Sequence, residues 1–154
     1  MTHPSAAESV DQQRRKCIVA GLGLAVVSAP AAAIEPSLQV VINGFAKGAP
    51  VREGRVEFEI APLVENGNAV PITVQVDSPM THEDHVVAIA VFNEANPQRD
   101  VIQCSFGPRA GRARVSTRIR LATSQQVVAL ARLSDGTVWS RSVDVVVTLA
   151  ACIE

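Results

Sequence analysis

Tyrosine is absent from this chain of 154 residues, and tryptophan occurs once and phenylalanine four times. Against them stand 24 valines, and β-branched side chains pack best on pleated surfaces, so the composition disfavours a helical bundle and favours sheet. An excess of positive charge is also missing. With 14 basic and 15 acidic side chains the formal charge is −1, whereas a nucleic-acid binder carries a basic surplus to neutralise phosphates. Only three cysteines are present, and a chain of this length buries a core without disulfide staples. No Gly-x-Ser-x-Gly elbow, phosphate loop, paired-cysteine zinc motif or dinucleotide fingerprint occurs, so no complete enzymatic constellation is legible. The length suits roughly one domain, with no internal repeat.

Residues 1–33 read as an export signal. A polar start leads to Arg14-Arg15-Lys16, an uncharged run from Cys17 to Val27, and small residues around Ala31-Ala32-Ala33, which places the expected cleavage at Ala31-x-Ala33. The alternative is a membrane anchor, but the run contains Gly21 and Gly23 and stops at Pro30, short of the about 20 apolar residues a spanning helix needs. Paired arginines before a weakly apolar run suit the twin-arginine route, although Gln13 and Cys17 depart from its usual pattern. Removing the leader leaves 11 basic against 13 acidic side chains and two cysteines, Cys104 and Cys152. The exported chain would then sit in the periplasm, where disulfides persist.

A body over residues 34–149 and a short arm over 150–154 follow. Leu38, Val41, Ile42 and Phe45 make the stripe of a short helix, with Ser37 as its N-cap and Gly48 past its end. The period then changes to two. Val56, Phe58 and Ile60, then Val70, Ile72, Val74 and Val76, predict half-buried strands, joined by a turn at Glu65-Asn66-Gly67-Asn68, where Asn and Gly tolerate positive φ. Val86 to Phe92 is nearly continuously apolar, as a central strand covered on both faces requires, and Asn96-Pro97 breaks the chain. Further strands are predicted over 101–106, 114–121, 127–133 and 138–149, with Asp135-Gly136 as a hairpin turn. About seven strands and one short N-terminal helix describe an all-β, immunoglobulin-like antiparallel sandwich.

Four groups of side chains are candidates for chemistry. Cys152 follows a strand pinned by Val143, Val145, Val147 and Leu149. An extended tail carries its Cα at most about 10 Å from Leu149, and an exposed thiol is nucleophilic once ionised. A half-buried cysteine, or a disulfide with Cys104, is the structural alternative. Cys104 shares parity with Ile102 and Phe106, which assigns it to core packing. His82-Glu83-Asp84-His85 is rich in metal-ligating types, but no other histidine remains in the exported chain, and it reads as a solvated loop with no metal assigned. Arg109, Arg112, Arg114, Arg118 and Arg120 could attract an anion, and their alternation with Val115, Thr117, Ile119 and Leu121 reads as the wet side of a sheet.

Several stretches together resemble the SoxY family, the sulfur-carrier subunit of the thiosulfate-oxidising Sox system. They are Ala61-Pro62-Leu63-Val64-Glu65-Asn66-Gly67, Val70-Pro71-Ile72-Thr73-Val74, Asp77-Ser78-Pro79-Met80-Thr81, Ser116 to Ala122, Ser134-Asp135-Gly136, and Val147-Thr148-Leu149 before a near-terminal cysteine. The resemblance implies a carrier rather than an enzyme, paired as a heterodimer with a SoxZ-like subunit, and makes Cys152 the residue to which sulfur is attached. It implies partner enzymes that load and unload the thiol: a c-type cytochrome that couples thiosulfate, a dimanganese hydrolase that releases sulfate, and a molybdenum and haem dehydrogenase. The cofactors belong to those partners, so none is expected here.

The tail departs from the family pattern Gly-Gly-Cys-Gly-Gly, since Ala150-Ala151 precede Cys152 and Ile153-Glu154 follow it. Alanine and isoleucine narrow the φ values that glycine allows, and the Glu154 carboxylate disfavours a nearby thiolate. The expectation is a divergent carrier with a stiffer, less reactive arm, or else a binding and assembly subunit that keeps the fold and loads sulfur poorly.

Overall fold

The computed structural model describes residues 37–151. The export leader read over residues 1–33 and the Cys152 end of the arm lie outside them. Within the described residues one helix, α1 (Leu38–Ala46), is followed by nine strands: β1 (Val51–Glu53), β2 (Val56–Ile60), β3 (Leu63–Val64), β4 (Val70–Val76), β5 (Val86–Asn93), β6 (Asp100–Ser105), β7 (Arg114–Ile119), β8 (Gln125–Leu133) and β9 (Val138–Val147). They form two sheets. The larger has the order β1-β9-β8-β5-β6 with β3 also paired to β9, and the smaller has the order β2-β4-β7.

The seven strands that the alternating pattern predicts are β2 and β4 to β9, each within a few residues of its expected ends. Two short strands go beyond that expectation. β1 and β3 lie parallel to β9, so the sandwich is not wholly antiparallel. All three residues of β1 are exposed and β3 is two residues long, so neither carries an alternation that a sequence pattern could reveal.

The sandwich interior is built by parity. Val56, Ile72, Val74 and Val76 from the small sheet meet Ile89, Val91, Val127, Ala129, Leu133 and Val145 from the large one in a single buried cluster. The other face of β5 and β8 is covered as well. Ile42, Phe45 and Ala46 of α1 pack on Ala88, Ala90, Phe92, Val128 and Leu130, and the small alanines leave room for the helix. This double cover explains why β5 is apolar at nearly every position. The helix stops where Lys47 turns left-handed (φ 51°) and donates its N–H to Asn43 O, with Gly48 next at φ 84°. Across the junction, Arg132 Nη1 donates to Phe45 O at 3.1 Å. Among the described residues no helix is long and apolar enough to cross a membrane.

The β8–β9 hairpin turns at Gly136 (φ 82°) and is braced by Asp135, whose Oδ1 accepts from the Thr137 hydroxyl at 2.7 Å and from its backbone N–H at 2.9 Å. Those two donors, the hydroxyl first, hold the Asp135 carboxyl below its ordinary 3.8. A depressed folded-state pKa contributes stability that is complete above the unfolded value and is lost as pH falls through the folded one. The side chain is exposed, so the contribution is small. In a carboxyl NMR titration Asp135 is therefore expected to have a midpoint below 3.8, raised towards that value in Thr137→Val; a midpoint at or above it in the parent would contradict the brace.

Candidate functional site

The chain approaching Cys152 is held by backbone hydrogen bonds well past the end of β9. Val146 N–H donates to Pro62 O at 2.8 Å and Thr148 N–H to Val64 O at 3.0 Å, and Leu149 N–H donates to Glu65 O at 3.2 Å. The Thr148 hydroxyl also donates to Glu65 O, at 3.1 Å, and Val147 N–H donates to Ser124 Oγ at 2.9 Å. Two further backbone bonds follow, one accepted and one donated by the tail. Leu149 O accepts from Gly67 N–H at 2.8 Å, and Ala151 N–H donates to Leu121 O at 3.1 Å. Ala151 is only 7% exposed. The holding that sequence parity assigns up to Leu149 thus continues to Ala151, one peptide bond before Cys152.

Gly67 sits at the centre of this arrangement. Its carbonyl accepts from Leu121 N–H at 2.9 Å, so it bonds both the departing strand and the segment that receives Ala151. The turn at Glu65-Asn66-Gly67-Asn68 forms as expected, but by another device. It is a short 3-10 turn over Gly67–Ala69 in which Asn66 Oδ1 accepts from Asn68 N–H at 2.9 Å, and none of its residues has positive φ. Glycine is required by space. A Cβ at position 67 would collide with the Leu121 carbonyl oxygen and lie 3.0 Å from Ala151 N and 3.2 Å from Val147 Cγ1.

Leu121 is presented by buried amides. Asn96 Nδ2 donates to Arg120 O at 2.8 Å while Asn96 Oδ1 accepts from Ala122 N–H at 2.9 Å, gripping the backbone on both sides of Leu121. Gln125 Nε2 donates to the same Oδ1 at 2.8 Å, and Gln125 Oε1 accepts from Ala95 N–H at 2.8 Å. Asn93 Oδ1 accepts from Asn96 N–H at 3.3 Å. Asn93 Nδ2 is buried without a hydrogen-bond partner, whereas the paired amides of Asn96 and Gln125 hold the backbone they touch. A cleft of about 250 Å³ shares Asn93, Asn96 and Arg120 with this network. Sequence reading treated Asn96 as a chain break and passed over Gln125; the available signal was a set of amides beside strands that are otherwise apolar.

The remaining candidates are dispersed. Cys104 is a free thiol, half-buried, opposite Ile89 in β6. It keeps the parity of Ile102 and Phe106, which pack against the core, but β6 is an edge strand and leaves the thiol partly open. Asp84 of the His82–His85 turn is ion-paired to Arg55 at 3.1 Å, and its backbone N–H donates to Thr81 Oγ1 at 3.0 Å. Among the described residues no group of three or more His, Cys, Asp or Glu could hold a metal ion. Arg114 and Arg118 lie on the exposed face of β7 with Ser116, whose Oγ is 3.0 Å from Thr73 Oγ1 on β4. Arg109, Arg112 and Arg120 are exposed as well.

No curated protein sequence matches the chain. Among solved structures it is similar to the sulfur carrier protein SoxY from Chlorobium limicola f. thiosulfatophilum, at 25% identity and a TM-score of 0.63, over 73% of this chain and 97% of that one. A variant of the superoxide reductase (neelaredoxin) from Ignicoccus hospitalis is similar at 16% identity and a TM-score of 0.57, over 67% of this chain and 97% of that one; that likeness concerns the fold alone. The family described as sulfur oxidation protein SoxY matches residues 42–152. Since that match runs from the opening helix through Gly67, Leu121 and Leu149 to Cys152, the chain belongs to the SoxY family.

Proposed function

We propose that this chain is a periplasmic carrier that holds sulfur intermediates covalently on Cys152 during thiosulfate oxidation. The observation that carries the reading is the family match, which extends to Cys152, together with a body that holds the chain as far as the preceding residue. A carrier needs a thiol on a defined root and no catalytic constellation of its own. In loading, the Cys152 sulfur forms a disulfide bond with the outer sulfur of thiosulfate; the thiol proton is released, and two electrons pass to the c-type cytochrome. Water then cleaves the bond to the sulfonate group on a hydrolase, giving sulfate and leaving a persulfide on Cys152. The working unit is a heterodimer with a SoxZ-like subunit, delivered by the leader over residues 1–33.

Intact mass of the exported protein, after exposure to thiosulfate and the loading cytochrome, tests this. The expected result is an adduct that reductant removes and that peptide mapping assigns to Cys152. The burial of Ala151, where the family has glycine, favours one second reading: an assembly subunit that binds its partner but loads sulfur poorly. An unmodified Cys152 with the partner subunit still bound would select it.

A further inference from the structure

We propose that the cleft at the β5–β6 connection is a binding site for a small zwitterion of the amino-acid class. Asn93 Nδ2 and the Arg120 guanidinium receive its carboxylate, and Asp100 faces its cationic group. The proposal goes beyond the carrier reading and does not depend on it.

The cleft is built on a connection held from several sides. Asn93 ends β5, and its N–H donates to Arg99 O at 3.0 Å across the loop, while Glu94 N–H donates to Gln126 O at 3.1 Å. Ala95 and Asn96 donate their N–H groups to Gln125 Oε1 and Asn93 Oδ1. A loop fixed in this way presents its side chains with little ordering cost on binding. Asn93 is wholly buried, at 0% exposure. The Asn96 N–H decides which way its amide faces, because the oxygen must meet that donor and the nitrogen is the remaining end. That nitrogen has no hydrogen-bond partner, and Asn93 lines the cleft. Asn96 beside it is committed, to Arg120 O through Nδ2 and to Ala122 N–H and Gln125 Nε2 through Oδ1. Leaving a buried donor unpaired is costly, and a ligand that accepts from it recovers that cost.

The charges around this donor define the ligand. Arg120 and Asp100 line the same cleft of about 250 Å³, and both are exposed. Among the described residues the ion pair formed is that of Arg55 with Asp84, so Arg120 and Asp100 are not joined to each other. A simple anion is attracted by Arg120 and Asn93 Nδ2 but repelled by Asp100, and a simple cation is repelled by Arg120. A molecule carrying both signs satisfies all three groups. Pro97 and Val101 add apolar wall, which suits a short hydrocarbon stem. The volume lies below the roughly 300–1,000 Å³ of sites for drug-sized ligands. A small apolar amino acid has that size and that charge pattern.

The test uses the full exported chain, isotope-labelled, and follows the NMR signals of the Asn93 side-chain amide. L-alanine is the probe, with propionate and ethylammonium as its two halves at matched ionic strength. L-alanine is expected to shift the Asn93 signals saturably, with a dissociation constant about tenfold below that of either half. Arg120→Gln and Asp100→Asn should each weaken L-alanine binding about tenfold. Both side chains are exposed, and the hydrogen bonds that Arg120 and Asp100 accept from Asn96 and Gln98 use their backbone carbonyls, so the fold is retained. No saturable shift with L-alanine would overturn the site. Equal binding of propionate would overturn the zwitterion, since Asp100 would then play no part. Binding that is indifferent to both substitutions would place the ligand elsewhere and overturn the proposal.

Discussion

Cys152→Ser is expected to remove every reducible sulfur adduct from the exported chain while leaving its fold and its binding to the partner subunit unchanged. A serine oxygen matches the thiol in shape but forms no bond to sulfur under these conditions, so the loss should be complete. The fold is spared because the two sheets, the helix and the buried amide network lie entirely within residues 37–151. Cys104→Ser supplies the control. That thiol is half-buried in an edge strand, and its replacement should leave the adduct in full. The checks are intact mass without reductant and co-elution with the partner subunit. An adduct persisting in Cys152→Ser would move the carrier role to another sulfur, and loss of partner binding would mean that the tail contributes to the interface as well as to transport.

How much of this was legible in the sequence differs between side chains and backbone. The alternation of Val70, Ile72, Val74 and Val76 identifies β4 because its inward positions really are buried and its outward ones are not. The uninterrupted run of β5 announces a strand covered twice, and the structure supplies both covers, Ile89 and Val91 facing the sandwich and Ala88, Ala90 and Phe92 facing α1. The root of the tail was legible only as motifs. Val64 to Gly67, Leu121-Ala122 and Val147 to Leu149 each carried the family resemblance, but their meeting is made by backbone hydrogen bonds, which any residue except proline can donate. Gly67 shows the limit well. Beside asparagine it reads as a glycine of a left-handed turn, whereas its φ is ordinary and its demand is for space around Leu121 and Ala151. Such a demand depends on what folds against the glycine, so no local pattern encodes it. The same holds for β1 and β3, which are strands because β9 offers them partners.

The largest effect on stability is expected from Phe45→Ala. The ring is 5% exposed and closes the junction between α1 and the outer face of the large sheet. It meets Phe92 edge-on, with centroids 6.1 Å apart and planes at 71°, and the Arg132 guanidinium lies 5.3 Å from its centroid. Truncating a buried phenylalanine costs about 3–5 kcal/mol, and the aromatic and cationic contacts place this one well inside that range. The hydrogen bond from Arg132 Nη1 to Phe45 O uses the backbone and survives the substitution. Relaxation of the helix over Ala88 and Ala90 can therefore recover little, because the helix end remains tethered. Urea unfolding should show a fall of about 4 kcal/mol with an unchanged slope; a loss under about 1 kcal/mol would mean that the helix contributes little to the fold.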